Sequence, residues 1–298
     1  MQSNEGGLPE HRSEHQAPRR ITRTIIPDAI AEPPSERSVF GEPARGKATF
    51  HGSLSGRRSH RKFSRMATLH LFDPAADNVD QLRAIGREFH GRSWSLGTSS
   101  NYSVVSSRDP LELLITASGK DKSALGPDDF VRVDSSGRVI DGSTRKSSAE
   151  TLLHCLIADL VPTLGGGPVG AVLHTHSVWS TILSRADLAK GSLRIEGYEM
   201  LKGLEGIGTH DTVEDVPIFA NGQDMSELAG RIRNRFTASD WSNPKRPPCH
   251  GFLLSGHGLY TWGQNLAEAR RHIEIHEFLF EVVARSRMLA AAMSAVPT

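Results

Sequence analysis

The sequence predicts one α/β or α+β domain from Met66 onward, with a central sheet and flanking helices. Two observations predict it. Short apolar runs bounded by Gly, Asp, Pro and Ser are typical of strands, and they alternate with stretches whose apolar residues recur at helical spacing. Several of the runs are separated only by short turns, which indicates hairpins and therefore antiparallel pairing.

The elements follow in chain order. We predict helices over 78–90, 149–160, the stretch from the N-cap Asp224 to Phe236, and 266–288. We predict strands over 102–105, 111–117, 130–133, 170–175, 216–219, 251–254 and 259–262. Residues 241–248 are polar and rich in proline, so we expect a surface loop there.

Composition excludes several classes of protein. The 298 residues carry 35 Lys and Arg against 34 Asp and Glu, so the chain lacks the basic character of a nucleic-acid-binding protein. No apolar stretch is long enough for a membrane span. Two cysteines, Cys155 and Cys249, cannot form a disulfide scaffold, which fits a reducing compartment such as the cytoplasm.

The first 65 residues differ from the rest. They hold 12 Lys and Arg against 7 Asp and Glu, and 6 of the 16 prolines, without sustained helical or strand periodicity. We expect a disordered basic tail there, followed by a folded domain over 66–298. An alternative is that Met66 is the true start and that residues 1–65 are upstream sequence.

Histidine spacing gives the first chemical signal. His174 and His176 end an apolar predicted strand, where residues two apart project from the same face. His257 follows another apolar strand and lies between two glycines, which permit a tight turn. Three histidines with an open fourth position are typical of a catalytic zinc site. His272 and His276 form a second pair at helical spacing, and we expect them at the surface or at an interface. We expect His154 to be buried and hydrogen-bonded.

Three polar segments are candidates for phosphate binding: 97–103, 116–120 and 147–148. Each offers hydroxyl and backbone N–H groups, and Lys120 and Lys122 add positive charge. Each is also an ordinary turn or helix cap, and Ser147 or Ser148 is as good a cap for the helix that follows. Glu150 and Glu199 are explained equally well as acids in the first turn of a helix.

Taken together, these segments resemble the class II aldolase/adducin family, over about residues 69–288. The resemblance is strongest to its methylthioribulose-1-phosphate dehydratase branch, which acts in methionine salvage. The residues that carry it are Ile115–Lys122 (ITASGKDK), Ser148–His154 (SAETLLH), His174–Ser177 (HTHS), Gly197–Gly203 (GYEMLKG), Val216–Phe219 (VPIF) and His257–Gly263 (HGLYTWG). Five or more separated motifs in the right order make chance agreement improbable.

The resemblance implies a three-layer α/β/α sandwich around a mostly antiparallel sheet. It implies one zinc ion per subunit, a homotetramer with sites near subunit contacts, and a sugar-phosphate substrate. The residues it assigns are His174, His176 and His257 to zinc, Glu199 to acid/base catalysis, and Glu150, Asn101, Ser118, Gly119 and Ser148 to the substrate. In aldolases of the family the acid/base is instead the glutamate at the Glu150 position.

One departure concerns the first phosphate loop, where Ser100 replaces a glycine common in the family. A serine must then adopt the backbone angles of that glycine. Two other functions remain open: a class II aldolase or pentulose-phosphate epimerase with the same zinc ligands, and an adducin-like interaction domain without activity. The aldolase reading lacks a tyrosine at the C-terminal end of the chain, since the tyrosines are Tyr102, Tyr198 and Tyr260.

Overall fold

Helices cover both faces of one mixed sheet in this protein. The structure is a computed structural model, and it describes residues 74–243 and 245–295. The predicted tail over 1–65 and the predicted start at Met66 lie outside the described residues.

The sheet has eight strands. They are β1 (Asn101–Arg108), β2 (Leu111–Thr116), β3 (Phe130–Asp134), β4 (Ala171–Thr175), β5 (Ser192–Glu196), β6 (Val213–Phe219), β7 (Gly251–Leu254) and β8 (Gly258–Gly263). Their order in space is β3-β2-β1-β4-β8-β7-β6-β5. Only β6 and β7 run parallel to each other, so the predicted antiparallel character of the sheet is confirmed.

Five α-helices form the outer layers. They are α1 (Pro74–Gly91), α2 (Thr151–Thr163), α3 (Val178–Ala186), α4 (Met225–Thr237) and α5 (Leu266–Ser294). Helices α1, α3 and α5 pack into one apolar core, and α2 and α4 pack into a second core. Alternation along β4 separates the two, because Leu173 joins the first core while Val172 joins the second. The predicted three-layer α/β/α sandwich is confirmed.

The element boundaries agree with the sequence pattern except at a few places. The sequence did not indicate α3 or β5, which are short. Trp241 was expected in a surface loop but is buried, with its indole N–H donating to the carbonyl of Phe236 at 2.7 Å. Neither predicted serine caps α2, since the helix begins at Thr151 with Glu150 at the N-cap position. None of the helices in the described part of the chain is both long and apolar enough to cross a membrane.

A group of polar side chains is buried between β6, β7 and α5. Glu214 on β6 accepts hydrogen bonds from the backbone N–H of His250 at 2.9 Å and from its Nδ1 at 3.0 Å. His276 Nε2 lies 3.6 Å from the same carboxylate. His272 and His276 are both buried, so the expectation that they lie at the surface or at an interface is wrong. Both ring nitrogens of His272 bond main-chain groups of other elements, at Trp262 and Glu205, whereas His276 Nδ1 donates to the carbonyl of His272 on the same helix and its Nε2 faces Glu214.

Opposite charges hold this group together. Burial raises the pKa of Glu214, but His250 and His276 outweigh burial and lower that pKa well below its ordinary value of 4.5. Burial lowers the pKa of His250, but the Glu214 carboxylate outweighs burial and raises that pKa above 6.5. The two residues therefore form a buried ion pair.

The core prediction concerns α5, where the same residue type occurs buried and exposed. We expect Leu279→Ala to lower the free energy of unfolding by about 2–5 kcal/mol, because it leaves a cavity in a close-packed core. Leu289→Ala on the same helix is the control, and its effect should stay within about 0.5 kcal/mol. Leu279 is 0% exposed and Leu289 is 63% exposed. Urea unfolding measures both, and equal effects would contradict this packing of α5.

The ion pair predicts a pH dependence. The contribution of Glu214 to stability is full above its ordinary pKa of 4.5 and is lost as the pH falls toward its lowered folded value. The contribution of His250 is full below 6.5 and is lost as the pH rises through its raised folded value. Both contributions are full between pH 4.5 and pH 6.5. In that range Glu214→Gln should lower the free energy of unfolding the most, by about 3 kcal/mol.

The measurement is the free energy of unfolding of wild type and variant at a series of pH values. Glu196→Gln, which changes an exposed carboxylate paired with Arg194, is the control and should cost less than about 1 kcal/mol. A Glu214→Gln effect that did not vary with pH would argue against the ion pair.

Candidate metal and anion site

The central strand pair brings the three predicted histidines together. Strand β4 ends at Thr175 and β8 begins at Gly258, and their antiparallel register pairs Thr175 with Leu259. His174, His176 and His257 therefore meet at one edge of the sheet. The ring centroids are 4.5 Å apart for His174 and His176, 5.0 Å for His174 and His257, and 4.4 Å for His176 and His257.

A carboxylate completes the cluster. Glu150, at the start of α2, places Oε1 3.0 Å from His257 Nε2 and Oε2 3.7 Å from His174 Nε2. Asn101, at the start of β1, donates from Nδ2 to the same carboxylate at 2.6 Å. One ligand atom from each of Glu150, His174, His176 and His257 lies within 4.8 Å of the others. Glu150 makes no side-chain cap to its helix, so its carboxylate is directed to the histidines instead.

Neighbouring groups fix the orientation of His174. Its Nδ1–H donates to the carbonyl of Leu259 at 2.9 Å, and its ring stacks on Tyr260 at 3.9 Å. The lone pair of Nε2 therefore faces the cluster, where this atom is buried and has no hydrogen-bond partner among the described residues.

Burial also sets the charges. It lowers the pKa of His174 well below 6.5 and that of His176 to about 4, so both rings are neutral at pH 7. Burial raises the pKa of Glu150, but the histidines outweigh burial and lower that pKa to about 2, so the carboxylate is ionised.

These groups suit a divalent metal ion. The ring nitrogens His176 Nε2 and His257 Nε2 approach to 3.2 Å and need a proton or a cation between them. Neutral imidazole nitrogens and a carboxylate oxygen are ordinary ligands of zinc and similar ions. A cation bound here would give the buried Nε2 of His174 the partner that it lacks among the described residues.

Glycine at position 258 permits the close approach of the two strands. A Cβ there would lie 1.9 Å from the carbonyl oxygen of Thr175 and 3.1 Å from Cε1 of His174. Any larger residue would have to displace the end of β4, which carries two of the histidines.

The histidines open into a cavity of about 400 Å³. The cavity is lined by five of the predicted substrate residues, which are Asn101, Ser118, Gly119, Ser148 and Glu150. It is also lined by the 221–225 segment, which sequence reasoning missed. That segment joins β6 to α4 and contains Asn221-Gly222. An Asn-Gly pair is typical of a turn, and it was the local signal in the sequence for a loop at this position.

The polar loops differ in what they offer the cavity. Ser100 adopts φ +74°, as expected for a residue in place of glycine. Ser103 and Ser147 do not line the cavity: Ser103 contacts His154 Nδ1 at 2.8 Å, which confirms His154 as a buried, hydrogen-bonded residue, and Ser147 donates to the carbonyl of Gly137 at 3.0 Å.

The two predicted lysines have different surroundings. Lys120 is paired with Asp129 at 2.7 Å. Lys122 is buried, and its Nζ donates to the carbonyls of Thr98 and Lys120 at 3.4 and 2.7 Å, which connects two of the loops that form the cavity. Burial lowers its pKa to about 8, so Lys122 is mostly charged at pH 7 and adds positive charge near the cavity.

Glu199 is not among the residues that line this cavity. It begins a 3-10 helix over Glu199–Gly203, and its side chain is 69% exposed. It pairs with Lys202 and with His210 Nδ1, the latter at 3.3 Å. The hydrogen bond from Lys202 lowers the pKa of Glu199, so the carboxylate is ionised at pH 7.

Comparison with known proteins identifies relatives of this chain. Residues 80–284 match the family described as the class II aldolase and adducin N-terminal domain. A methylthioribulose-1-phosphate dehydratase of Marinobacter nauticus is 46% identical over 196 residues, which cover 66% of this chain and 87% of that protein. A methylthioribulose-1-phosphate dehydratase of Pseudomonas fluorescens is 44% identical over 209 residues, covering 70% and 93%.

Solved structures of lower identity share the fold. An L-fuculose 1-phosphate aldolase from Thermus thermophilus superposes with a TM-score of 0.53 at 21% identity, covering 73% of this chain and 98% of that one. Another L-fuculose 1-phosphate aldolase gives a TM-score of 0.55 at 21% identity, covering 72% and 87%. By the match of most of its length and by these relatives, the chain belongs to the class II aldolase and adducin N-terminal domain family.

Proposed function

We propose that residues 66–298 form a zinc-dependent dehydratase, which converts 5-methylthioribulose 1-phosphate to 2,3-diketo-5-methylthiopentyl 1-phosphate and water. One observation carries the proposal: a cluster of three histidines and a glutamate opens into a hydroxyl-lined cavity, in a chain 46% identical to a protein named for that activity. The reaction belongs to methionine salvage, and we place the enzyme in the cytoplasm.

His174, His176 and His257 would hold one zinc ion per subunit, with Glu150 beside them. When bound, zinc supplies a Lewis acid that stabilises negative charge on the carbonyl oxygen of the substrate. Asn101, Ser118, Gly119 and Ser148 would hold the phosphate, since they supply hydrogen-bond donors to the cavity. Lys122 would add a favourable field from beneath the loops.

Loss of water requires two proton movements. The C3–H bond breaks when a base takes the proton next to the carbonyl group, and the C4–O bond breaks as an acid protonates the leaving hydroxyl. The resulting enol then ketonises to the diketone. We assign both transfers to Glu199, which is ionised and exposed, and we assign Glu150 to a substrate hydroxyl because Asn101 and His257 already hold its carboxylate.

This assignment needs more than one copy of the chain. Glu199 does not line the cavity of its own chain, so it would act in the cavity of another copy. We propose a homotetramer. Its support is the apolar surface left exposed on α3 and α5, at Val178, Ile182 and Phe278.

One observation favours a second candidate, a class II sugar-phosphate aldolase or epimerase. Glu150, which occupies the acid/base position of the aldolases, lies within 3.0 Å of His257 in the cluster itself. Fuculose 1-phosphate and ribulose 5-phosphate are the substrates that test this candidate.

The first experiment incubates purified, zinc-loaded protein with methylthioribulose 1-phosphate and follows the diketone product. We expect turnover that a chelator abolishes and that added zinc restores. If the zinc-loaded protein turns over an aldolase substrate instead, the second candidate is correct. A chain that binds no metal and turns over neither substrate would be an adducin-like interaction domain.

The acid/base assignment predicts that Glu199→Gln lowers kcat by about 10²-fold or more, with zinc content unchanged. Steady-state kinetics and metal analysis measure this, and Glu196→Gln, an exposed carboxylate outside the site, is the control. Wild-type turnover in Glu199→Gln together with an inactive Glu150→Gln would reverse the two roles. Mixed with inactive His174→Ala chains, Glu199→Gln chains should recover part of the activity if the site combines two copies.

Strand contact at Gly258 predicts a metal-binding defect. Gly258→Ala should weaken zinc binding by about tenfold or more, because its Cβ would displace the end of β4, which carries His174 and His176. Gly230→Ala on α4 is the matched control, since no atom lies within 4 Å of a Cβ there. Competition with a zinc-binding dye measures both affinities, and equal affinities would show that the close approach of the strands is not needed.

A further inference from the structure

Two buried histidines form hydrogen bonds with the main chain of Glu205, which lies two residues beyond the 3-10 helix that carries Glu199. The N–H of Glu205 donates to His272 Nε2 at 3.2 Å. The carbonyl of Glu205 accepts from His250 Nε2 at 2.7 Å. The main-chain N–H and C=O of Glu205, an exposed loop residue, are thus both hydrogen-bonded to side chains from distant parts of the chain, one on α5 and one just before β7.

The protonation of each ring follows from its partners. His272 Nδ1 donates to the carbonyl of Trp262 at 2.8 Å, so the lone pair of Nε2 is left to accept the Glu205 N–H. His250 faces acceptors at both nitrogens, the Glu214 carboxylate and the Glu205 carbonyl, so both must carry a proton. A charged donor gives a stronger hydrogen bond than a neutral one.

The segment from Glu199 to Gly206 is closely packed at several positions. Leu201 and Leu204 are buried in the core beneath α5. A Cβ at Gly203 would lie 2.4 Å from Cδ1 of Ile275, and one at Gly206 would lie 1.4 Å from the carbonyl oxygen of Lys245. Gly203 and Gly206 are thus closely enclosed by other parts of the chain, which leaves the main chain around Glu205 little room to move.

We propose that His250 and His272 are positioning residues that clamp the main chain of Glu205 and thereby fix the segment presenting Glu199. The clamp also joins that segment to the metal site, because Trp262, the acceptor for His272, lies on β8, the strand that follows His257. Its catalytic consequence rests on the proposed function, in which Glu199 transfers protons.

Matched substitutions separate the clamp from the rest of the buried cluster. Glutamine places its side-chain amide near the position of histidine Nε2, whereas asparagine reaches only the position of Nδ1. His250→Gln and His272→Gln therefore keep a hydrogen-bond partner for the main chain of Glu205. His250→Asn and His272→Asn lose the hydrogen bond to Glu205. They keep the bonds that Nδ1 makes, to Glu214 for residue 250 and to Trp262 for residue 272. Arg271→Gln is the control, because it removes only the exposed pair between Arg271 and the Glu205 side chain.

Three readouts are measured on the full, zinc-loaded chain. In each Asn variant we expect faster amide hydrogen exchange at Glu205, kcat lowered about tenfold or more, and unchanged KM and zinc content. The Gln variants and the Arg271→Gln control should keep the exchange rate at Glu205 and kcat near wild type, while His250→Gln lowers the free energy of unfolding because Glu214 loses its charged partner. Adding either Asn substitution to Glu199→Gln should cause no further loss of kcat, because the clamp acts through Glu199.

The outcomes are distinguishable. Exchange at Glu205 that is unchanged in both Asn variants would overturn the clamp. Faster exchange with wild-type kcat, or a full further loss in the double variants, would overturn the positioning role. If one Asn variant fails to fold, the other still removes the clamp at the opposite group of Glu205. A wild-type protein inactive on methylthioribulose 1-phosphate would refute the proposed function, whereas the exchange comparison would still decide the clamp.

Discussion

Pairing of β4 with β8 is the constraint on which the site depends. His176 and His257 are 81 residues apart in sequence, yet their Nε2 atoms lie 3.2 Å apart because these two strands are neighbours. The register also decides which face each residue occupies, since side chains alternate along a strand. A slip by one residue would turn His174 toward the opposite core and away from Glu150. One strand register therefore determines the position of the histidines, and α2 and β1 add Glu150 and Asn101 around them.

Two groups of residues determine the charge around that strand pair: the cluster of histidines with Glu150, and the loops that line the cavity. His174 and His176 stay neutral because burial disfavours their protonated forms, and Glu150 supplies the negative charge that a cation requires. The loops that line the cavity supply hydroxyl and amide groups, with Lys122 beneath them. A cation and a phosphate can thus be bound next to each other in a chain whose overall charge is close to zero.

Local patterns predicted much of the fold and part of the site. Helical spacing and the N-cap Asp224 located α4, and two-residue spacing on an apolar strand placed His174 and His176 on one face. Contacts between distant segments were not predictable in this way. His272 and His276 look like a polar surface pair because their partners Glu205 and Glu214 lie 67 and 62 residues away in sequence. The Asn221-Gly222 pair indicates a turn, but the 221–225 segment reaches the cavity only because β6 ends nearby in space, and the local pattern does not reveal that contact.

The order of the strands has a consequence for when the cluster of histidines can form. At the centre of the sheet, β1 pairs with β4 and β4 with β8, so most of the domain must be synthesised before the central pairs are complete. Sheets built from such distant segments fold slowly, because long loops must close before the contacts form. The three histidines come together only after His257 has left the ribosome. A metal ion held by them would therefore bind late, when the domain is complete, and a nascent chain would hold no preformed site that could trap the wrong ion.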